Sequence, residues 1–372
     1  MRIGVPTEVK DHEFRVALTP AGIRELTLAG HEVLVQSGAG AGSAIRDRDV
    51  ESAGGRIVSD VDEVWGESDL VCKVKEPTPE EYRHLRDDLT LFAFLHLAAD
   101  EALTDALCES GVLAVAYETV TDADGGLPLL APMSEVAGRM APQVGAASLE
   151  RERGGRGVLL GGVSGISPGH VVVVGAGTAG RHAALLSAGL QARVTVLDID
   201  LGVLRAIDAL GDGRITTLHS NRWTLERLVE DTDLLIGAVL VPGARAPHVV
   251  TEEMVAAMPD GSVVVDIAVD QGGCVATTHM TTHAAPTYLE HGVVHYAVGN
   301  MPGAVPHTST RALTIATLPY VLRLADGIGP ALAGDPGLLA GVNVAQGEIT
   351  NDGVASAHGR TSADAATLVG AS

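Results

Sequence analysis

The chain has 372 residues, 46% of them hydrophobic, with 47 acidic against 25 basic residues and a formal net charge of −22. That length fits two domains with sizeable cores, and the charge excludes nucleic acid and anionic membrane surfaces, which both need basic patches. Three scattered cysteines without a CxxC pair fit a reduced, cytoplasmic setting, and neither a signal core in MRIGVPTEVK nor an apolar run of about 18 residues is found.

Strand and helix signals alternate along the chain. In the first third, strands are expected over 2–6, 32–36, 70–74, 91–96 and 113–116, with helices over 20–29, over 99–110 and after Asp60. GGLPLLAP at 125–132 reads as a junction, and 133–149 as a helix rich in small residues. A second series of strands follows over 171–174, 193–197, 215–218, 234–237, 262–266 and 293–297. A helix near 309–324 and a tail with one more strand and a helix complete the chain. The expected fold is α/β, with two doubly wound Rossmann-like domains and a cleft between them. The first is discontinuous (1–128 plus 307–372), and the second covers 129–306.

HVVVVGAGTAG at 170–180 places Gly175-x-Gly177-x-x-Gly180 between a valine run and a helix. The first glycine permits the tight turn, the second lets backbone approach a pyrophosphate, and the third lets helix and strand pack closely. The helix N-terminus favours the phosphates. A second strand, RVTVLD, ends in Asp198, near the spacing of an acid that binds ribose hydroxyls. A carboxylate there repels a 2′-phosphate, so NAD is expected over NADP. A bare glycine turn in an α/β sheet is the competing reading, and the strand–turn–helix–strand–acid order weighs against it.

In open parallel sheets, ligands gather at the carboxyl ends of strands. The chain holds only three lysines, and two of them, Lys73 and Lys75, end the apolar run LVCKV. Period two puts both on one strand face with Val71. His96 ends LTLFAFLH, Asp270 ends SVVVDIAVD, and Arg15 follows the first strand. Singly, each has a plain alternative: a solvated rim for the lysines, a hydrogen-bonded cap for the histidine, a turn cap for Asp270 and a surface ion pair for Arg15. Together they suit a small 2-keto acid. An Arg fork and a Lys ammonium match its carboxylate and keto oxygen, and a His and an Asp can move protons. Cys274-x4-His279-x3-His283 has metal-like spacing, but lacks an obvious fourth ligand. TTHMTTHAAPTY reads better as a loop over the cofactor mouth, and no metal is expected there.

Over nearly its whole length the chain resembles the alanine dehydrogenase family. PTEVKDHEFRVALTP, VCKVKEP, FAFLHLA, LLGGVSGISPGHVVVVGAGTAG, GAVLVPGARAP, DIAVDQGGC and VGNMPGAVPHTSTRAL carry the resemblance, in the family's order. It implies reversible, NAD-dependent oxidative deamination of L-alanine to pyruvate and ammonium by a bidomain subunit of a homohexamer. It assigns substrate binding to Arg15 and Lys75, acid/base catalysis to His96 and Asp270, and pocket lining to Met133 and Asn300. For NAD it implies Ser134, Gly175, Gly177, Gly180, Asp198, Ser220, Val239, Leu240, Ile267, Ala268, Val269, Asp270, Val298, Gly299, Asn300 and Met301. Lys75 is then the substrate lysine, with Lys73 its solvated or structural neighbour.

The chain also departs from the family pattern. RHAA follows the glycine motif where TNAA is common, Val203 stands where many members are basic, and His279 replaces a frequent Arg. Arg323 and Gly327 occupy positions linked to metal in some members, so no such metal is expected. The nearest rival is the NAD(H)-binding subunit of a transhydrogenase, which shares the fold but typically carries an RAQ loop that this chain lacks. A dehydrogenase for a larger 2-amino acid and a silent NAD sensor are further readings, with Met133 and Phe94 the hints of pocket size.

Overall fold

The computed structural model describes residues 1–211, 213–239 and 246–370. The chain divides into two compact units, Met1–Met133 with Gly303–Ser372, and Ser134–Pro302. Both are α/β units of doubly wound type.

The first unit opens with β1 (Arg2–Val5), β2 (Glu32–Gln36), β3 (Arg56–Val58), β4 (Leu70–Cys72), β5 (Thr90–Ala93) and β6 (Leu113–Ala116). These run parallel in the order β3-β2-β1-β4-β5-β6. Strand order reverses between β1 and β4, the position where open sheets form a crevice. β4 and β5 are buried along their whole length, as strands covered by helices on both faces must be. Helix starts follow local chemistry. Thr19 accepts a hydrogen bond from Gly22 N ahead of Pro20–Leu28, and Asp100 accepts one from Leu103 N ahead of Glu101–Ser110. Each satisfies an amide that the helix itself leaves unpaired.

The second unit carries β7 (His170–Val174), β8 (Arg193–Asp198), β9 (Ile215–His219), β10 (Leu234–Gly237), β11 (Val263–Asp266), β12 (Thr287–Glu290) and β13 (Val293–Tyr296). Their order is β12-β13-β11-β10-β7-β8-β9, parallel except for β12, which is antiparallel to β13 at the edge. The reversal here falls between β7 and β10. Val172, Val174, Leu235 and Val264 form part of its core with Leu225 and Val250.

After the second unit the chain rejoins the first through the helix Pro306–Asp326. Small buried polar side chains tie this helix down. Thr310 Oγ1 lies 2.6 Å from Ser43 Oγ and accepts from Val16 N at 3.2 Å. The tail then adds β14 (Val342–Ala345), antiparallel to β6, and β15 (Glu348–Ile349), antiparallel to β14. It therefore supplies two strands where one was expected.

The expected strand over 70–74 ends at Cys72, and the one over 91–96 ends at Ala93. Lys73 and Lys75 therefore do not share a strand face. Asp270 likewise lies past β11, in the helical turn Val269–Gln271. β3 and β12 were not expected. The first is three residues long, and the second is exposed at three of its four positions, so neither shows an apolar pattern.

Candidate active site

In the first unit, Lys73 and Lys75 leave β4 and His96 leaves β5 beside the strand-order reversal, and Arg15 follows β1. Lys73 is not a solvated rim residue. It is fully buried, with Nζ 2.8 Å from Glu81 and 3.4 Å from Glu8. Burial alone would lower its pKa, but the two carboxylates outweigh burial and hold it above its ordinary value. Glu8 in turn accepts from Val74 N at 2.6 Å and Lys75 N at 3.3 Å. Burial raises its pKa despite the pull of Lys73. Lys73 is thus the structural lysine, and it steadies the carboxylate that grips the backbone of Lys75.

Lys75 Nζ reaches to 3.4 Å of His96 Nε2. His96 has left β5 and sits in the left-handed region at φ 52°, its ring stacked at 11° to Phe94. The amides of Leu95 and His96 both donate to the carboxylate of Glu118, which follows β6. Glu76, next to Lys75, is ion-paired to Lys10. Burial raises its pKa, but Lys75, His96 and Lys10 more than offset that and hold it below its ordinary value.

Arg15 is buried, so the surface ion-pair alternative fails. Its Nε donates to Glu13 Oε1 at 2.7 Å and its Nη2 to Glu13 Oε2 at 2.5 Å. This two-point fork fixes the guanidinium plane. Nη1 lies 3.1 Å from Met133 Sδ, which puts two of the substrate candidates in contact.

In the second unit, the glycine turn has the shape that a pyrophosphate needs. Gly175 has φ 96°, and a Cβ there would meet Ala238 O at 2.6 Å. A Cβ on Gly180 would meet Gly175 O at 1.8 Å, whereas Gly177 faces open space. The helix Thr178–Gly189 begins at Gly177 without a side-chain cap, which leaves its first amides for an anion. Asp198 accepts from Ala176 N at 2.7 Å and from Asp200 N at 2.9 Å, so its carboxylate sits against the same turn. The residues present fit a dinucleotide.

The other cofactor candidates line nearby strand exits. Ser220 N donates to Asp198 O at 2.8 Å, and Ile267 N to Gly237 O at 2.8 Å. Val239 follows β10, Ala268 and Val269 lead into the turn that holds Asp270, and Ser134 is in the first turn of the helix Ala131–Ser148. Leu240 lies outside the described residues. Val298 bridges Thr281, Gly299 N donates to Thr281 O at 3.3 Å, and Asn300 has φ 64° with its carbonyl 3.2 Å from His283 Nε2. Met301 begins the turn Met301–Ala304. The metal-like spacing resolves into separate engagements. The Cys274 thiol is buried against Asp266 at 3.6 Å, and His279 stacks on Tyr288 at 3.8 Å. His283 is held at the Asn300 carbonyl. Arg323 pairs with Asp335 and lies over Tyr320.

Sequence reasoning missed the carboxylates that hold these segments. Glu8, Glu13 and Glu118 each accept from backbone or side-chain groups of a candidate residue. Asp266 is fully buried and accepts from Ala268 N, Cys274 N, Val275 N and Thr278 Oγ1. Gly138 was missed as well. A Cβ there would meet Ala179 O at 2.2 Å, so it permits the helix Ala131–Ser148 to lie against the glycine turn. For Glu8, Glu118 and Asp266 the sequence signal was position, an acid at or within a few residues of a strand end.

A glycine cradle at one sheet reversal defines a dinucleotide-binding α/β protein. Residues 4–137 match the family described as alanine dehydrogenase/PNT, N-terminal domain, and residues 141–352 match alanine dehydrogenase/PNT, C-terminal domain. The chain belongs to this alanine dehydrogenase/PNT family. It is 55% identical to an alanine dehydrogenase of Mycolicibacterium smegmatis, over 95% of this chain and 96% of that one. A solved L-alanine dehydrogenase structure is similar with a TM-score of 0.93 and 48% identity, covering 96% of this chain and 99% of its own. A transhydrogenase from Sinorhizobium meliloti, 22% identical over 95% of this chain and 99% of its own, matches with a TM-score of 0.81 and shares the fold.

Proposed function

We propose that this protein catalyses reversible, NAD-dependent oxidative deamination of L-alanine to pyruvate and ammonium. The observation that carries the reading is 55% identity to an alanine dehydrogenase over 95% of this chain; the family resemblance assigns the chemistry to Arg15, Lys75, His96 and Asp270. Bound NAD supplies the hydride acceptor for the Cα hydrogen of alanine. The amides after Gly177 and the carboxylate of Asp198 would hold its pyrophosphate and ribose. Arg15, its plane set by Glu13, takes the substrate carboxylate. Lys75 would donate to the oxygen that becomes the keto group of pyruvate, and the resemblance adds Met133, which touches Arg15, and Asn300 as further substrate-binding residues.

His96 and Asp270 divide the proton transfers. One removes a proton from the water that adds to the imine, and the other protonates the departing amine. Lys75 Nζ lies 3.4 Å from His96 Nε2, so the substrate lysine and the imidazole face the same reacting group. The balance is L-alanine, NAD and water giving pyruvate, ammonium, NADH and a proton.

Among the described residues no helix is long and apolar enough to cross a membrane. The reading carries with it a homo-oligomer, a hexamer as in the family, working in the cytoplasm. The free thiols of Cys72, Cys108 and Cys274 are consistent with that compartment. The test is consumption of NADH by purified protein with pyruvate and ammonium, and chiral analysis of the product. L-alanine supports the reading, and no NADH consumption overturns it.

A further inference from the structure

We propose that Glu118 is a positioning residue for His96, acting through the backbone of the turn that carries the imidazole. The inference rests on the role given to His96 above. His96 is a non-glycine residue at φ 52°, a conformation that L residues adopt only when their surroundings hold them there. Its amide and that of Leu95 point to the same side and form a small anion-binding nest. The Glu118 carboxylate fills that nest. Oε1 accepts from His96 N at 2.5 Å and from Leu95 N at 3.1 Å, and Oε2 accepts from Leu95 N at 3.3 Å.

Glu118 is itself braced on both sides. Tyr117 is buried and packs edge-on against Phe92 at 4.4 Å and Phe94 at 5.1 Å. Thr119 Oγ1 accepts from Asn343 Nδ2 at 2.6 Å, and Asn343 lies on β14. The returning tail of the chain therefore holds the turn Tyr117–Thr119, that turn holds Glu118, and Glu118 fixes the bend after β5. The bend aims His96 so that its ring lies parallel to Phe94 with Nε2 within 3.4 Å of Lys75 Nζ. Without the carboxylate, the two amides lose their acceptor and His96 is free to return to an ordinary φ. The imidazole then swings away from Lys75.

The experiment compares the parent with E118A, E118Q, H96A and the double variant H96A/E118A. Rates are read with pyruvate, ammonium and NADH. NADH affinity by fluorescence and thermal midpoint are measured alongside. E118A is expected to lower kcat about a hundredfold, the cost of a misplaced catalytic group, with little change in KM for pyruvate or in NADH affinity. E118Q keeps one acceptor oxygen and is expected to regain most of the loss. The double variant should be no slower than H96A, because Glu118 acts only through His96. Losses that multiply in the double variant would overturn the proposal. So would a raised KM at unchanged kcat, or E118A and E118Q melting early together. A parent that consumes no NADH with pyruvate removes the functional reading itself, and the proposal with it. A fully active H96A removes the role of His96, which is a separate failure.

Discussion

Lys75 Nζ and His96 Nε2 lie 3.4 Å apart although the residues leave adjacent strands 21 positions apart in the chain. The contact places the substrate lysine next to the catalytic imidazole. Lys75→Ala should raise KM for pyruvate and also lower kcat, since it removes both a binding cation and a donor to the keto oxygen. His96→Ala should lower kcat by about 10²- to 10⁴-fold, the usual loss for a missing acid/base, with little change in KM. Steady-state kinetics of the two variants check this.

Lys73 is expected to matter for folding, with no direct part in chemistry. It is fully buried between Glu8 and Glu81. Lys73→Met would strand those carboxylates without their cation, at a cost of about 3–5 kcal/mol. Urea unfolding should show the loss directly. Because Glu8 also holds the amide of Lys75, KM for pyruvate should rise in the protein that remains folded.

Gly138 lets one helix approach the dinucleotide turn. In Gly138→Ala the new Cβ would meet Ala179 O at 2.2 Å, a backbone atom that cannot swing aside. Helix and turn must separate, and the cradle around Gly175–Gly180 opens with them. NADH affinity should fall about tenfold or more, as for loss of about 1.4 kcal/mol of binding. Fluorescence titration checks it. Gly189→Ala, where a Cβ meets nothing within 4 Å, should leave affinity unchanged.

His170 and His295 make stability depend on pH. Burial is the largest effect on each and pushes both below the ordinary 6.5, against the pull of the backbone carbonyls of Asp231 and Val293. Each ring has a complete set of partners when neutral. Nδ1 meets a carbonyl, and Nε2 meets the hydroxyl of Thr195 or of Thr277. As pH falls through 6.5 the unfolded chain takes up protons before the folded one, so stability falls until the folded values are passed. The thermal midpoint should therefore drop as pH is lowered through 6.5, and His295→Gln should flatten that slope.

The doubly wound architecture was legible because its buried strands are valine runs. HVVVV and SVVVD cannot be read as surface, and two of the helices between them start at capping residues, Asn221 and Thr251. The edges were not legible. TYLE in β12 shows no buried face, and β14 pairs with β6 across most of the chain, a register that no local pattern records. Among the candidate site residues, the chemistry-bearing side chains were visible as polar residues at strand ends. What holds them was not. Whether Lys73 is a rim residue or a buried ion pair depends on Glu8 and Glu81, one from another strand exit and one from the following loop. Likewise the bend at His96 depends on Glu118 from the turn after the next strand. Such carboxylates look like ordinary surface acids until the strands are assembled.

The most direct measurement is NADH formation by the purified protein supplied with NAD and L-alanine, with glycine, L-serine and L-lysine as comparisons and His96→Ala and Lys75→Ala alongside. Turnover with L-alanine well above the other amino acids, and lost in both variants, is the predicted result. Tight NADH binding without turnover of any amino acid would contradict it.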